Sequence, residues 1–257
     1  MLLRSITKHL KEQNWFAVGL DFFIVVVGVF IGIQVSNWNE SLNQIERADA
    51  YLERLEADLA GDLETINIRQ KFYSDVMLYG NRALAYAEAE EQNREANWPV
   101  ILAFFQASQI FSYYPNDATY TELKSGGDLN LIENPAIRSS LTKYYLTGTG
   151  QYDFAFRGAP KYRETIRGLT PSNITKFIWD NCHEESEFNE QRFLECDFPI
   201  EAAEIKQILD LYLSRPEVTE ELRFWMSTLQ TSKNLLGVVS IGAKTLQDSI
   251  NAELAKH

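Results

Sequence analysis

The stretch from Trp15 to Trp38, WFAVGLDFFIVVVGVFIGIQVSNW, limits what this chain can be more than any other. Between Trp15 and Val35 it carries a single charge, Asp21. About 20 apolar residues at ~1.5 Å each cross a hydrocarbon core of ~30 Å. A helix satisfies its own backbone groups there, and indole rings at both ends suit the interfaces. The run is longer than the ~7–15 residues of a secretory h-region. Gln34, Ser36, Asn37, Trp38 and Asn39 follow it in place of a small-x-small cleavage site. The expectation is an uncleaved signal anchor over residues 15–38.

Basic residues orient it. Arg4, Lys8 and Lys11 precede the span, and the next basic residues are Arg47 and Arg54. That bias places residues 1–14 in the cytoplasm and residues 39–257 on the far side of the inner membrane. A tail that short leaves no room for an output domain, so a signal crossing the membrane would pass through a partner.

Asp21, Val25, Gly28 and Gly32 follow steps of four, three and four, so they share one side of the span. Gly28 and Gly32 form a GxxxG pair, which permits close helix approach. One reading is a packing or partner face, with Asp21 meeting a cation or hydroxyl on a neighbour. The other is that Asp21 is hydrated at the cytoplasmic end and the glycines are ordinary membrane composition. The residues leave both open.

Formal charge is −12, and residues 1–16 hold three basic and one acidic residue, leaving −14 for the remainder. So acidic a body does not bind nucleic acid by electrostatics. The two cysteines, Cys182 and Cys196, flank a polar segment. In an exported domain they are expected to pair. A metal site built from Cys182, His183 and nearby glutamates matches no zinc spacing, and no metal or cofactor is expected.

The rest reads as helices. From Ser41 to Glu91 there is no proline, and Leu52, Leu55, Leu59, Leu63 and Ile66 recur at three and four. Tyr73, Val76, Met77, Leu84 and Ala87 continue the stripe, which Gly61 or Gly80 could interrupt. Glu53, Arg54, Glu56 and Asp58 read as a solvated face. Pro99 opens an apolar helix reaching Phe111. Asn116 or Asp117 caps a short helix that Gly126 or Gly127 ends in the left-handed conformation. Asp128–Ile132 reads as an extended connection, and Asn134 with Pro135 opens another helix. Tyr144, Tyr145, Tyr152, Phe154, Phe156 and Tyr162 read as packing rings. A helix from Pro199 to Leu213 turns Ala203, Ile205, Ile208, Leu209 and Tyr212 inward. From Pro216 onward, Leu222, Trp225, Leu229, Ser232, Leu236, Val239, Ala243, Leu246 and Ile250 keep a strict three-four spacing, the pattern of a coiled-coil-like seam. The predicted fold is all-α: a single transmembrane helix, then a periplasmic bundle of long antiparallel helices.

GVFIGIQVSNWNE (Gly28–Glu40), TYTELKSGGDLNLI (Thr119–Ile132) and the Tyr144–Tyr145 pair resemble an uncharacterised family of bacterial envelope proteins. In that family an N-terminal anchor ends in a GxxxGxQxxNWNE-like run and a helical region follows. The resemblance implies the architecture and no activity.

Catalytic signatures are thin. GVVSIG has one residue too many for a nucleophile elbow and sits inside the heptad helix. His183 is the one histidine placed to serve an exported active site. The expected function is a non-enzymatic scaffold, accessory subunit or sensor-like module. Its partners would be the lipid bilayer and another envelope protein, or a second copy of itself through the span. The alternatives are a subunit of an ion-driven membrane complex that uses Asp21, and an unrecognised hydrolase.

Overall fold

The computed structural model describes residues 15–148, 159–185 and 190–256, with side chains from Leu20 onward except those of Asp21, Thr147 and Gly148. The tail at 1–14, the rings of Tyr152, Phe154 and Phe156, and residues 186–189 of the cysteine segment lie outside the described residues. The chain divides into two compact units, Met1–Leu52 and Glu53–His257.

Helix α1 spans Trp15–Glu88. It runs unbroken through Gly61 and Gly80, the two positions where the sequence allowed an interruption. Gly80 serves close approach instead, because a Cβ there would overlap the Met226 sulfur. Short helices follow: α2 (Trp98–Gln106), α3 (Ala118–Gly126) and α4 (Pro135–Thr142). A π-helical turn, Lys143–Gly148, continues α4. Then come α5 (Lys161–Leu169), α6 (Ser172–Asn181), α7 (Ala202–Leu213) and the long α8 (Pro216–Leu254). The described residues are all-α apart from one hairpin. In it β1 (His183–Glu185) pairs antiparallel with β2 (Gln191–Phe193), His183 facing Phe193 across the ladder.

Within the second unit, α8 lies antiparallel to α1. Gln247 Nε2 donates to Glu56 Oε1 at 2.8 Å, Gln70 Nε2 to the Lys233 carbonyl at 3.2 Å, and Arg223 Nε to Glu88 Oε1 at 2.8 Å. Residue numbers fall along α8 as they climb along α1. Every seam position named on α8, from Leu222 to Ile250, is buried. Those positions recur at alternating three and four, with Met226 and Gln247 buried beside them, so one stripe of α8 stays turned to the core.

Helix α2 is the centre of the core. Trp98 and every residue from Val100 to Gln106 are buried. Phe104 meets the Tyr212 ring of α7 at 5.3 Å, and its carbonyl accepts from Tyr162 Oη of α5 at 2.7 Å. Trp225 Nε1 of α8 donates to the Ala107 carbonyl at 2.9 Å. Asn97 caps the helix by accepting from the Val100 N–H at 3.2 Å. Asn97→Ala should therefore cost about 1 kcal/mol in chemical denaturation.

Several elements differ from the sequence expectation. Helix α2 stops at Gln106 rather than Phe111: the Ser108 and Gln109 N–H groups bond only three residues back, to the Phe105 and Gln106 carbonyls at 3.0 and 3.1 Å, and both side chains are buried. Asp128–Leu131 forms a 3₁₀ turn, not an extended connection. It follows Gly127, whose φ of 75° ends α3 in the left-handed region. Helix α7 starts at Ala202, and Ala203 is exposed, leaving Ile205, Ile208, Leu209 and Tyr212 as its inward face. The hairpin between the cysteines was not anticipated, since three-residue strands leave almost no periodicity to read.

Candidate functional site

Helix α1 keeps the same alternation as α8, but its buried stripe is not purely apolar. Leu55, Leu59, Asp62, Ile66, Arg69, Tyr73 and Val76 are all buried. Two charged residues therefore occupy core positions. The apolar residues alone direct attention to Leu63, which is only half-buried. Stepping strictly by three and four from Leu59 would have landed on Asp62, and the same step from Ile66 on Arg69. That was the available signal.

These charges are buried because the segment joining α2 to α3 has no ladder of its own. Buried backbone groups must find partners, and α1 supplies them. Arg69 Nε donates to the Ser112 carbonyl at 2.9 Å, and its guanidinium lies 3.2 Å over the Phe111 ring. Tyr73 Oη donates to the Phe111 carbonyl at 3.0 Å. Asp62 Oδ1 accepts from the Asn116 N–H at 2.7 Å. Asp58, expected on a solvated face, is half-buried and accepts from Asn116 Nδ2 at 2.9 Å and the Thr119 N–H at 3.3 Å. Asp58 thus caps α3 from across the domain, and Asp117 at the N-cap position makes no side-chain cap bond.

Asp62 is the centre of this arrangement. It is 1% exposed. Its Oδ2 accepts from Tyr144 Oη at 2.7 Å, and Tyr113 Oη lies 3.4 Å from Tyr144 Oη. Tyr145 Oη donates to the Asn116 carbonyl at 3.2 Å, with its ring stacked on Tyr120 at 4.8 Å. No cation pairs with Asp62 among the described residues. Burial pushes its carboxyl up to about 6, against the pull of the Asn116 N–H and the Tyr144 hydroxyl, and nearby Asp58 adds to the rise. Burial foremost, with Tyr113 and Asp62 beside it, holds the Tyr144 phenol well above its ordinary range, so Tyr144 stays a donor. The arrangement holds one proton-sensitive charge inside the helical body, bridging α1, the α2–α3 segment and the π-helical turn.

The residues singled out by sequence fall elsewhere. Asp21 lies on α1, with its side chain outside the described residues. Gly28 and Gly32 lie on the same helix, and a Cβ on either would meet nothing within 4 Å. Cys182 and Cys196 are joined in a disulfide with Cα atoms 5.3 Å apart. Beside it, Gln106 Nε2 and the Leu194 N–H donate to the Cys182 carbonyl at 3.1 and 3.0 Å. Both sulfurs are thereby taken from any metal, and no group of three metal-ligating side chains occurs among the described residues. His183 follows in β1 and is brought to none of the polar groups around Asp62. Tyr144 and Tyr145, expected as packing rings, are buried and also carry the polar contacts of the centre.

The sequence profile of the Family of unknown function (DUF6090) matches residues 21–159. The chain belongs to that family. No curated protein and no solved structure matches it. The DUF6090 segment contains Asp58, Asp62, Arg69, Tyr113, Asn116 and Tyr144, so the buried polar centre lies wholly inside it. The disulfide, His183 and the α8 seam lie outside it.

Proposed function

We propose that this DUF6090 chain is a non-enzymatic, membrane-anchored helical module of a bacterial envelope. Residues 15–38 hold it in the inner membrane, and its helical body lies on the periplasmic side. There it acts as a scaffold or accessory subunit for another envelope protein. The observation that carries the reading is the band of apolar side chains on α1. Phe22, Phe23, Ile24, Val29, Phe30 and Ile33 are all more than half exposed. Among the described residues α1 alone is long and apolar enough to cross a membrane. Water does not tolerate a continuous apolar surface of that extent, whereas a bilayer is its natural solvent.

Alkaline carbonate should leave the full-length chain in the membrane pellet, and a reporter fused after His257 should be active outside the cytoplasm. Replacing Val25 and Val29 together with arginine should add about 2.5–3.5 kcal/mol per residue to the cost of insertion and release the chain to the supernatant. Release of the unaltered chain, or a cytosolic reporter, ends the anchor reading. Cross-linking in native membranes addresses the scaffold role. Capture of a defined partner or of a second copy is expected, and recovery of monomer alone would refute it.

A further inference from the structure

Two arginines stand one turn apart on α5, and both are half-buried. Arg163 Nη1 donates to the Ser108 carbonyl at 2.8 Å and, more weakly, to Gln109 Oε1 at 3.4 Å. Arg167 Nε donates to Ser108 Oγ at 3.0 Å and Nη2 to Gln109 Oε1 at 2.9 Å. The Arg167 guanidinium also lies against the Phe105 and Trp179 rings, at 4.7 and 5.2 Å.

Every one of those acceptors is a neutral oxygen. The C-terminal end of α2 adds roughly half a negative charge, which offsets only part of one guanidinium. No carboxylate pairs with either arginine among the described residues, although the chain holds 36 acidic residues. Arg163 Nε and Nη2 and Arg167 Nη1 have no acceptor there either. Two uncompensated cations one turn apart repel each other, and partial burial strengthens the repulsion. Burial, with the Arg163 charge adding, pulls Arg167 down to about 9.

A third basic group lies against the same Trp179. The His183 ring meets it edge-on at 4.6 Å. The His183 side chain is 4% exposed, and Glu185 Oε1 stands at ion-pair distance, 3.6 Å from Nε2, beyond hydrogen-bond reach. Among the described residues the buried side-chain nitrogen and oxygen atoms left without a hydrogen bond are Nδ1 and Nε2 of His183. An orphaned buried imidazole calls for a partner. Arg167 and His183 share Trp179, and Arg163 shares Gln109 with Arg167. Arginine forks recognise phosphate through paired donors. Burial holds the His183 imidazole below its ordinary range, and its ring N–H supplies a further donor.

We propose that Arg167 and His183, which meet on Trp179, form with Arg163, which shares Gln109 with Arg167, a binding site for a phosphate-class oxyanion. The anion would be either free phosphate or the phosphoryl group of an ester. Its charge offsets the two guanidiniums and its oxygens accept from the unoccupied N–H groups.

The test uses the full-length chain in detergent at fixed ionic strength, titrated calorimetrically with inorganic phosphate, with glycerol 3-phosphate and with sodium chloride. Saturable binding of a phosphate compound above the chloride control is expected. Preference for the ester identifies a phosphoester ligand, and preference for inorganic phosphate identifies the free anion. Arg163→Gln and Arg167→Gln should each weaken binding at least tenfold with the helical circular-dichroism signal retained. The unaltered chain gives an independent reading should Arg167→Gln fail to fold. The His183 ring, followed by NMR, should titrate at higher pH in phosphate than in chloride. The proposal is overturned by a response no larger than that to chloride, by unchanged affinity in folded variants, or by His183 titrating alike in both salts.

Discussion

Asp62→Asn should make the protein more stable than the unaltered chain at pH 8 and no more stable at pH 4. The carboxyl rises from an ordinary 3.8 to about 6 in the fold. The folded state therefore holds the Asp62 proton more tightly than the unfolded chain does. Its contribution is fully present below about pH 4 and is lost as pH rises through about 6, after which it levels. A shift of about two pH units corresponds to about 3 kcal/mol. Asparagine cannot ionise, so it removes that loss. Its Oδ1 accepts the Asn116 N–H as before, and its Nδ2 donates to Tyr144 Oη once the Tyr144 proton turns toward Tyr113. The other groups facing the site, Asp58, Tyr113 and Tyr145, are present in both proteins, so the difference between the two curves reports Asp62 together with its coupling to Asp58. Asp62→Leu, of similar size, should be less stable than Asp62→Asn at every pH. It leaves the Asn116 N–H buried without an acceptor, at about 1–3 kcal/mol. Urea unfolding of the full-length chain in detergent from pH 4 to pH 8 measures both. A difference curve for Asp62→Asn that is flat with pH would remove the buried-charge account.

Breaking the bond between Cys182 and Cys196 should cost a similar amount. The two residues are 14 apart in sequence. A loop of about 15 residues loses about 3 kcal/mol of closure entropy on the chain-entropy account. The bond also secures contacts on α2, since Trp98 Nε1 donates to the Cys196 carbonyl at 2.7 Å and Gln106 to that of Cys182. The hairpin carries little that could hold it otherwise, with two strands of three residues each. Reductant should lower the urea midpoint of the unaltered chain. It should leave unmoved the already lowered midpoint of a Cys182→Ala, Cys196→Ala variant. Equal midpoints with and without reductant would show that packing alone holds this segment.

The helices were legible where one rule dominated. On α8 each seam position from Leu222 to Ile250 is apolar or small, so the spacing falls on buried residues throughout, with Met226 and Gln247 buried beside it. Pro135 and Asn134 likewise announced α4, where Asn134 Oδ1 accepts from the Ala136 N–H at 3.0 Å. On α1 the same spacing was present, but following the apolar residues led past Asp62 to Leu63. A charged side chain on a core stripe is excluded by hydrophobicity and admitted only by a partner. The partners, Asn116 and Tyr144, stand 54 and 82 residues away in sequence. The arginine pair on α5 was hidden for the same reason, because the residues it meets belong to α2, the segment just after it and α6.

The sequence by itself determined that a long apolar helix precedes a helical body and that α8 carries a continuous buried stripe. Those properties follow from local composition and period, which need no knowledge of neighbours. Only the tertiary structure decided that Asp62 is a buried, proton-sensitive charge, that Asp58 caps a helix from across the domain, and that Arg163 and Arg167 stand without a counter-charge among the described residues. Each is a property of distance between groups remote in the chain. Burial and charge act through space, and the order of residues along the backbone does not record that space until the chain has folded.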